Sequence, residues 1–402
     1  METVKPFLFF EIFKDCSIRV AVILCTAQRL TPSRLRKLAI RLDTLTLIFT
    51  IAFQLKLCDI LFWIASMSKA VTSVAAMQLV EQGKLELDAP LQNVLPNLAE
   101  AQVLEGFTED GTPRLRAPKS PITLRRLLTH TAGFTYDMWN SDMVRFMEQN
   151  GIPGIIECKK STLRTPLVFD PGERWEYGIN IDWVGQAVEA ASGQSLNDYM
   201  KEHIFIPLGM QDTGFIIAPE ARSRLAGMHS RNLDGSLTRI DFEVPQQPEF
   251  FMGGGGLYST GKDYLTFLRA LLGNGELNGV RILQPETTVE MGRSHIGDLN
   301  VRPMKTAIPA VTNDAEFFPG MVKKWGLGYM ITTEDAPTGR SAGSLAWAGL
   351  ANTYYWIDPV KRLTGVLLTQ ILPFADEQVL NLLTAFETAM YKEVDSASAQ
   401  RV

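Results

Sequence analysis

Apolar and polar positions fall into two textures that change near Phe62. Before that point, apolar runs at 20–25 and 45–55 stand among basic stretches such as 34–41, and no glycine occurs before Gly83. After it the pattern is regular. Residues 69–82 predict a helix that is apolar on most sides and stopped by Gly83. Residues 122–128, 182–191 and 196–203 predict further helices, set apart by glycine and proline. From Gly253 onward the pattern predicts one helix over 261–272, then strands over 328–333, 344–347, 353–357 and 364–370, and a closing helix over 378–391. Strands that end in a helix, with a helical block inserted earlier, predict an α+β fold: an antiparallel sheet flanked by helices plus an all-helical region. The expected organisation is an atypical segment over 1–61, a domain over 62–391 and a tail over 392–402. Within that domain the helical insert covers about 85–215, and the sheet lies mainly in 250–391.

The apolar runs before Phe62 raise the question of a membrane. A bilayer span needs about 20 apolar residues. Residues 45–65 have that length, but Gln54, Lys56 and Asp59 interrupt them. Glu2, Glu11 and Asp15 break the cationic-then-apolar order of a signal peptide. A buried strand and helix is the expected reading, no membrane partner is expected, and the cytoplasm is the default compartment. The other classes fall to composition. Hydrophobic residues are 46% and charged residues 21%, which is globular usage and excludes a disordered chain. A net charge of −5 offers no field for a polyanion, so no nucleic-acid partner is expected. The four cysteines lack C-x-x-C spacing and the four histidines are scattered, so neither a disulfide framework nor a metal site is expected.

The chemistry is concentrated in Ser66-Met67-Ser68-Lys69, placed where the apolar helix begins. Residues three apart on a helix share one face, so the lysine amine reaches the serine hydroxyl. The helix N-terminus favours negative charge developing on that oxygen. Val71, Val74, Ala75, Met77, Leu79 and Val80 mark the helix as buried, and burial disfavours a charged lysine. A lysine whose pKa is pushed down acts as a general base near neutral pH. Two other motifs compete. Gly339-Arg340-Ser341-Ala342-Gly343 matches a nucleophile elbow, but no histidine follows His295 to complete its triad. Residues 256–262 read G-x-x-x-x-G-K, but Asp263 stands where a Ser or Thr would hold magnesium, and no strand is evident before it. A glycine-rich turn beside the pocket is the expected reading. His130 is expected to be structural.

Several stretches, in order, extend the first motif: Phe62-Trp63-Ile64-Ala65 before it, 78–85 with Asp88, and Leu127-Leu128-Thr129-His130-Thr131-Ala132-Gly133. Pro171-Gly172 precedes Trp175-Glu176-Tyr177-Gly178, and 207–210 with Thr213, 253–260, 325–328 and Trp347-Ala348-Gly349 follow. The chain from Phe62 to about Tyr391 thereby resembles the serine β-lactamase and penicillin-binding-protein superfamily, specifically its class C-like esterases and acyltransferases. Within these it is most similar to the fungal lovastatin-type acyltransferases (transesterases), an echo strongest over 177–183. The resemblance implies a β-lactamase/transpeptidase-like fold.

It also implies roles. Ser66 is the nucleophile, and Lys69 with Tyr177 moves the proton, the phenol existing partly as phenolate. Asn180, one place later than the asparagine of the lactamase pattern, would be a substrate-side amide. Trp347 stands where lactamases carry the lysine of K-T-G. It suits a hydrophobic acyl or alcohol moiety rather than a carboxylate, which argues against β-lactam resistance and against a cell-wall peptidase. Gly349 lets the strand approach, so that the Leu350 and Ser66 amides form an oxyanion hole. The expected function is acyl transfer from a small-molecule ester or thioester donor, free or borne on a carrier protein, onto an alcohol acceptor in secondary-metabolite biosynthesis, with no metal or organic cofactor. The alternatives are a carboxylesterase hydrolysing small esters and a catalytically impaired scaffold. Family members carry a strand hairpin before the serine helix that 1–61 does not display. The expectation is that this segment reflects a non-standard splice or gene model, which native peptides from 1–61 would overturn.

Overall fold

The computed structural model describes residues 21–26 and 59–399. Its frame is a six-stranded antiparallel sheet built from β1 (Ala21–Thr26), β2 (Lys323–Trp325), β3 (Met330–Thr332), β4 (Leu345–Gly349), β5 (Thr353–Asp358) and β6 (Leu363–Leu368). The spatial order is β1-β6-β5-β4-β3-β2. Every residue of β3 to β6 is buried, so both faces are covered and the strands read as continuous apolar runs rather than alternating ones.

Four helices organise the cover: α1 (Ser68–Glu81), α2 (Asn180–Ser192), α3 (Gly261–Leu272) and α4 (Glu377–Ala399). Tyr355 and Trp356 are neighbours on β5 and therefore point to opposite faces. The Tyr355 ring meets Tyr264 of α3 at 5.5 Å, and the Trp356 ring meets Phe386 of α4 at 5.7 Å. One helix covers each face. The twelve residues from Ser68 to Leu79 of α1 are all buried, as expected of a helix that is apolar all round. α1 lies against α2 in the helical region, and the Tyr264 hydroxyl of α3 donates to the Met67 carbonyl at 2.9 Å. The serine motif thus sits at the junction of helical region and sheet.

Several expectations shift. The described part of the apolar run at 20–25 is a strand of the main sheet, paired with β6 from Ala21↔Leu368 to Thr26↔Leu363. The remaining expectations for 1–58 lie outside the described residues. Among the described residues no helix is long and apolar enough to cross a membrane. The closing helix does not stop at Tyr391 but runs to Ala399, where a tail was expected. Buried Val394 and the Lys361–Asp395 ion pair at 2.7 Å hold its last turns to the domain.

The competing motifs resolve locally. Gly339–Gly343 is a loop leading into β4 with no helix after it, and the Ser341 amide donates to Asp358 at 3.0 Å. Beside it the Arg340 guanidinium pairs with Glu387 of α4, both groups buried. A short strand, Tyr258–Thr260, lies inside the 256–262 pattern rather than before it, and pairs with Leu61–Trp63. It is too short for its pattern to show. The buried Asp263 carboxylate then fills the start of α3, accepting from the Asp212 amide at 2.7 Å and the Thr213 hydroxyl at 3.1 Å, where a phosphate loop would need positive potential.

Candidate active site

From Ile60 to Leu79 every residue is buried except Ser66. The turn Ala65–Met67 presents it just before α1 starts at Ser68. Ala65 takes φ +45°, a left-handed conformation uncommon for a residue with a side chain. It is held there on both sides. The Ser68 hydroxyl donates to the Ala65 carbonyl at 2.7 Å and accepts the Leu257 amide at 3.0 Å, while the Ile64 amide donates to the Leu257 carbonyl at 3.0 Å. Strain of this kind is characteristic of a functional position.

The glycines at 253–256 run beside this turn, and three successive carbonyls each receive a side-chain donor. Thr72 Oγ1 donates to Gly253 at 2.7 Å, Lys69 Nζ to Gly254 at 2.6 Å and Trp63 Nε1 to Gly255 at 2.7 Å. Lys69, 1% exposed, stands 3.1 Å from Ser66 Oγ and 2.9 Å from the Tyr136 hydroxyl. Its amine lies 4.7 Å from the centre of the Tyr177 ring. The Tyr177 hydroxyl faces the Ser66 side chain across the pocket and accepts from Trp347 Nε1 at 2.9 Å. The three residues expected to act together are therefore brought together.

Tyr136 was missed. It lies three positions after Gly133 of the Thr131-Ala132-Gly133 stretch, which was its available signal. Trp347 both lines the pocket and anchors Tyr177, its ring packed against Trp325 at 4.6 Å and Phe317 at 5.4 Å. Asn180 does not reach the pocket. As the first residue of α2 it turns inward, where its amide nitrogen lies 3.1 Å from His130 Nδ1 and donates to the Phe134 carbonyl at 3.2 Å. His130 is wholly buried behind the Tyr177 ring at 4.8 Å, and burial pushes its pKa well below the usual imidazole range. It accepts the Gly178 amide at Nδ1, so it supports the tyrosine and stays neutral.

Electrostatics separates lysine from tyrosine. Burial lowers Lys69 to about 7, against a smaller opposing effect of the Asp182 charge. Burial raises Tyr177 and Tyr136 above the ordinary phenol range. The phenolate expected at Tyr177 is corrected: enclosure penalises the anion more than the Ser66 and Trp347 side chains favour it. The resting site holds a lysine easily made neutral between two protonated phenols.

Opposite Ser66, β4 ends at Gly349 and the chain turns through Leu350, and both residues line the pocket. A Cβ on Gly349 would collide with the Ile64 carbonyl and the Thr353 hydroxyl. Among the described residues neither the Ser66 nor the Leu350 amide donates to a backbone carbonyl, which leaves both for a ligand. Gly349→Ala is expected to push β4 off the serine turn and lower kcat by roughly 10²–10³-fold, the cost of one lost oxyanion donor, with an unchanged far-ultraviolet spectrum. Ester kinetics beside circular dichroism would check this. Full activity in the alanine variant would mean that the approach of the strand is not needed.

The cavity at Ser66 measures about 40 Å³ and is mostly apolar, walled by Trp63, Tyr136, Met252, Trp347 and Leu350. Met304 and Phe374 divide it from a second cavity of about 290 Å³. No group of three or more acidic, histidine or cysteine side chains that could hold a metal occurs among the described residues.

The sequence model of the Beta-lactamase family matches residues 59–389. A lovastatin esterase of Penicillium rubens is 31% identical over 361 residues, covering 85% of this chain and 88% of the relative. The monacolin J acid methylbutanoyltransferase of Aspergillus terreus is 33% identical over 340 residues, covering 82% of this chain and 81% of the relative. Among solved structures, unliganded simvastatin synthase from Aspergillus terreus matches with a TM-score of 0.73 at 32% identity, covering 83% of this chain and 84% of that one.

Proposed function

The chain belongs to the beta-lactamase family, in the lovastatin-type branch of acyltransferases and esterases, and from that premise we propose that it transfers an acyl group through a Ser66 acyl-enzyme to a hydroxyl of a small molecule. One observation carries the reading: a buried Lys69 amine, 3.1 Å from the one solvent-reached residue of its segment, with its remaining contacts spoken for. A neutral amine has two N–H donors and one lone pair. The Gly254 carbonyl and the Tyr136 oxygen take the donors, so the lone pair is left for the Ser66 proton. Ser66 attacks the carbonyl carbon as its proton passes to Lys69, and the Ser66 and Leu350 amides hold the oxyanion. Tyr177, its oxygen already held by Trp347, passes its proton to the leaving oxygen and takes back the one Lys69 received from Ser66, so both groups return to their resting forms before the alcohol repeats the relay in deacylation.

The small apolar cavity fits a short acyl group, since about 40 Å³ is room for roughly three water-sized groups. The methylbutanoyl group named for a relative is of that order. The donor is an ester or thioester, free or carried on a protein, and the acceptor is an apolar alcohol of a biosynthetic route. Hydrolysis shares every step up to deacylation, and the lovastatin esterase among the relatives favours it as the second reading. A scaffold role fits poorly, because the strained Ala65 turn and the buried Lys69 lower stability and give nothing back without catalysis.

The test is a p-nitrophenyl ester series from acetate to dodecanoate, with and without excess alcohol. The kcat/KM is expected to peak at butanoate or methylbutanoate and to fall about tenfold or more at octanoate, through overpacking. Alcohol is expected to divert product from free acid to new ester. Free acid alone, whatever the alcohol, would assign the chain to the hydrolases.

A further inference from the structure

Asp182 is completely buried on α2. Its Oδ1 accepts the Gly254 amide at 2.8 Å, and its Oδ2 meets no hydrogen-bond donor among the described residues. The other buried acids are served differently: Asp170, Asp376 and Glu387 pair with arginines, and Asp263 and Asp358 accept amide and hydroxyl donors, so among the described residues a buried carboxylate oxygen with no donor is an exception. Its neighbour across the glycines is the lysine amine. Gly254 carries both contacts, its N–H on Asp182 and its C=O on Lys69 Nζ at 2.6 Å. A side chain at 254 has no place, since its Cβ would stand 2.6 Å from Asp182 Oδ2.

We propose that Asp182 is the positioning residue of Lys69: through Gly254 it fixes where the amine stands, and its uncommitted oxygen supplies the charge that stabilises the ammonium formed when Ser66 gives up its proton. This deepens the acyl-enzyme reading and rests on it. As Ser66 Oγ bonds to the acyl carbon, the Ser66 proton becomes the third proton on Lys69 Nζ, and collapse of the intermediate returns a proton to the departing oxygen. For that interval Lys69 is a buried cation, and without a counter-charge enclosure would penalise it severely. The orienting acid of a serine–histidine pair acts in the same way on its base.

The other titratable groups around the pair do not compete for this part. At rest Tyr136, Tyr177 and Cys158 are pushed upward by burial and carry their protons, and His130 is pushed downward and is neutral, so none of them offers a standing negative charge. Asp137 acts on Tyr136 and not on Lys69. Asp182 is itself raised by burial to about 6, so it is ionised where the enzyme would work.

The experiment compares Asp182→Asn and Asp182→Ser with the unaltered protein, measuring kcat/KM for p-nitrophenyl butanoate against pH. Both replacements are no larger than aspartate and still offer an oxygen to the Gly254 amide. Removing the carboxylate charge makes the neutral lysine easier to reach, so the acid limb is expected to move down by about one pH unit. The plateau is expected to fall roughly 10–100-fold through the unsupported ammonium. A residue that merely packs would lower the plateau and leave the limb in place. An unmoved limb in both variants, beside a titrating unaltered enzyme, overturns the proposal. An unaltered enzyme that shows no ester turnover overturns instead the acyl-enzyme reading itself.

Discussion

Ser66→Ala leaves a folded protein with no acyl-enzyme. Incubation with p-nitrophenyl butanoate is expected to add one butanoyl increment to the intact mass of the unaltered chain and nothing to the variant, whose turnover falls by about 10⁴–10⁶. The fold should not notice the change. Ser66 is not part of the buried core, and the turn is held by Ser68, Ile64 and Leu257 rather than by the Ser66 hydroxyl. Circular dichroism and the denaturation midpoint are therefore expected to stay within the range of surface substitutions, about 0.5 kcal/mol. Relieving Lys69 of its partner costs little, because its amine keeps Gly254 and Tyr136. An acyl increment that persists in the variant would place the nucleophile elsewhere, and Ser341 is excluded by its burial. Loss of activity with loss of fold would say nothing of nucleophilicity. For that reason Ser66→Cys is the companion variant: a thiol at this position is expected to accept the acyl group and to release it slowly.

How much of this could be read in the sequence depends on how far apart the partners lie. Ser66 and Lys69 were legible because their contact is three residues long and set by helix geometry. Tyr177 was legible by its place among stretches that match a family. Tyr136 lies 67 positions from Lys69, and Asp182 lies 72 from Gly254, so no local spacing announces either contact. Asn180 was misread for a related reason. One residue of offset at a helix start turns a side chain from the pocket to the interior, and the pattern around it did not fix that register. Strands 353–358 and 363–368 showed as apolar runs, whereas Lys323–Trp325 and Tyr258–Thr260 are too short to display a period. The run at 20–25 was visible, but that its partner is β6, some 340 residues on, follows only from the strand order of the folded sheet. Electrostatics was the least legible level. The direction of the lysine shift followed from an apolar helix, but the tyrosine shift depends on an enclosure of residues far apart in the chain, among them Lys69, His130, Tyr136 and Trp347.

That difference between lysine and tyrosine makes the second large prediction. In the unaltered enzyme kcat/KM is expected to rise with pH and to level above about 7, where the buried Lys69 loses its proton. The sign follows from the base form: the neutral amine accepts the serine proton, so protonation below that pH removes activity rather than adding it. No rise belonging to Tyr177 is expected in the accessible range, because burial holds the phenol above its ordinary value. Lys69→Met fills nearly the same buried volume without a base. Its kcat/KM is expected to drop by about 10²–10⁴-fold, and the acid limb is expected to vanish, leaving a flat profile. Tyr177→Phe separates the two groups. It keeps the ring against His130 and Trp347 and removes the hydroxyl, so the plateau should fall while the limb near 7 stays. The opposite pattern, with the limb lost in Tyr177→Phe and kept in Lys69→Met, would make the tyrosine the base and the lysine its support. A phenolate would then need a positive charge beside it, which a Lys69 kept protonated at neutral pH would have to supply.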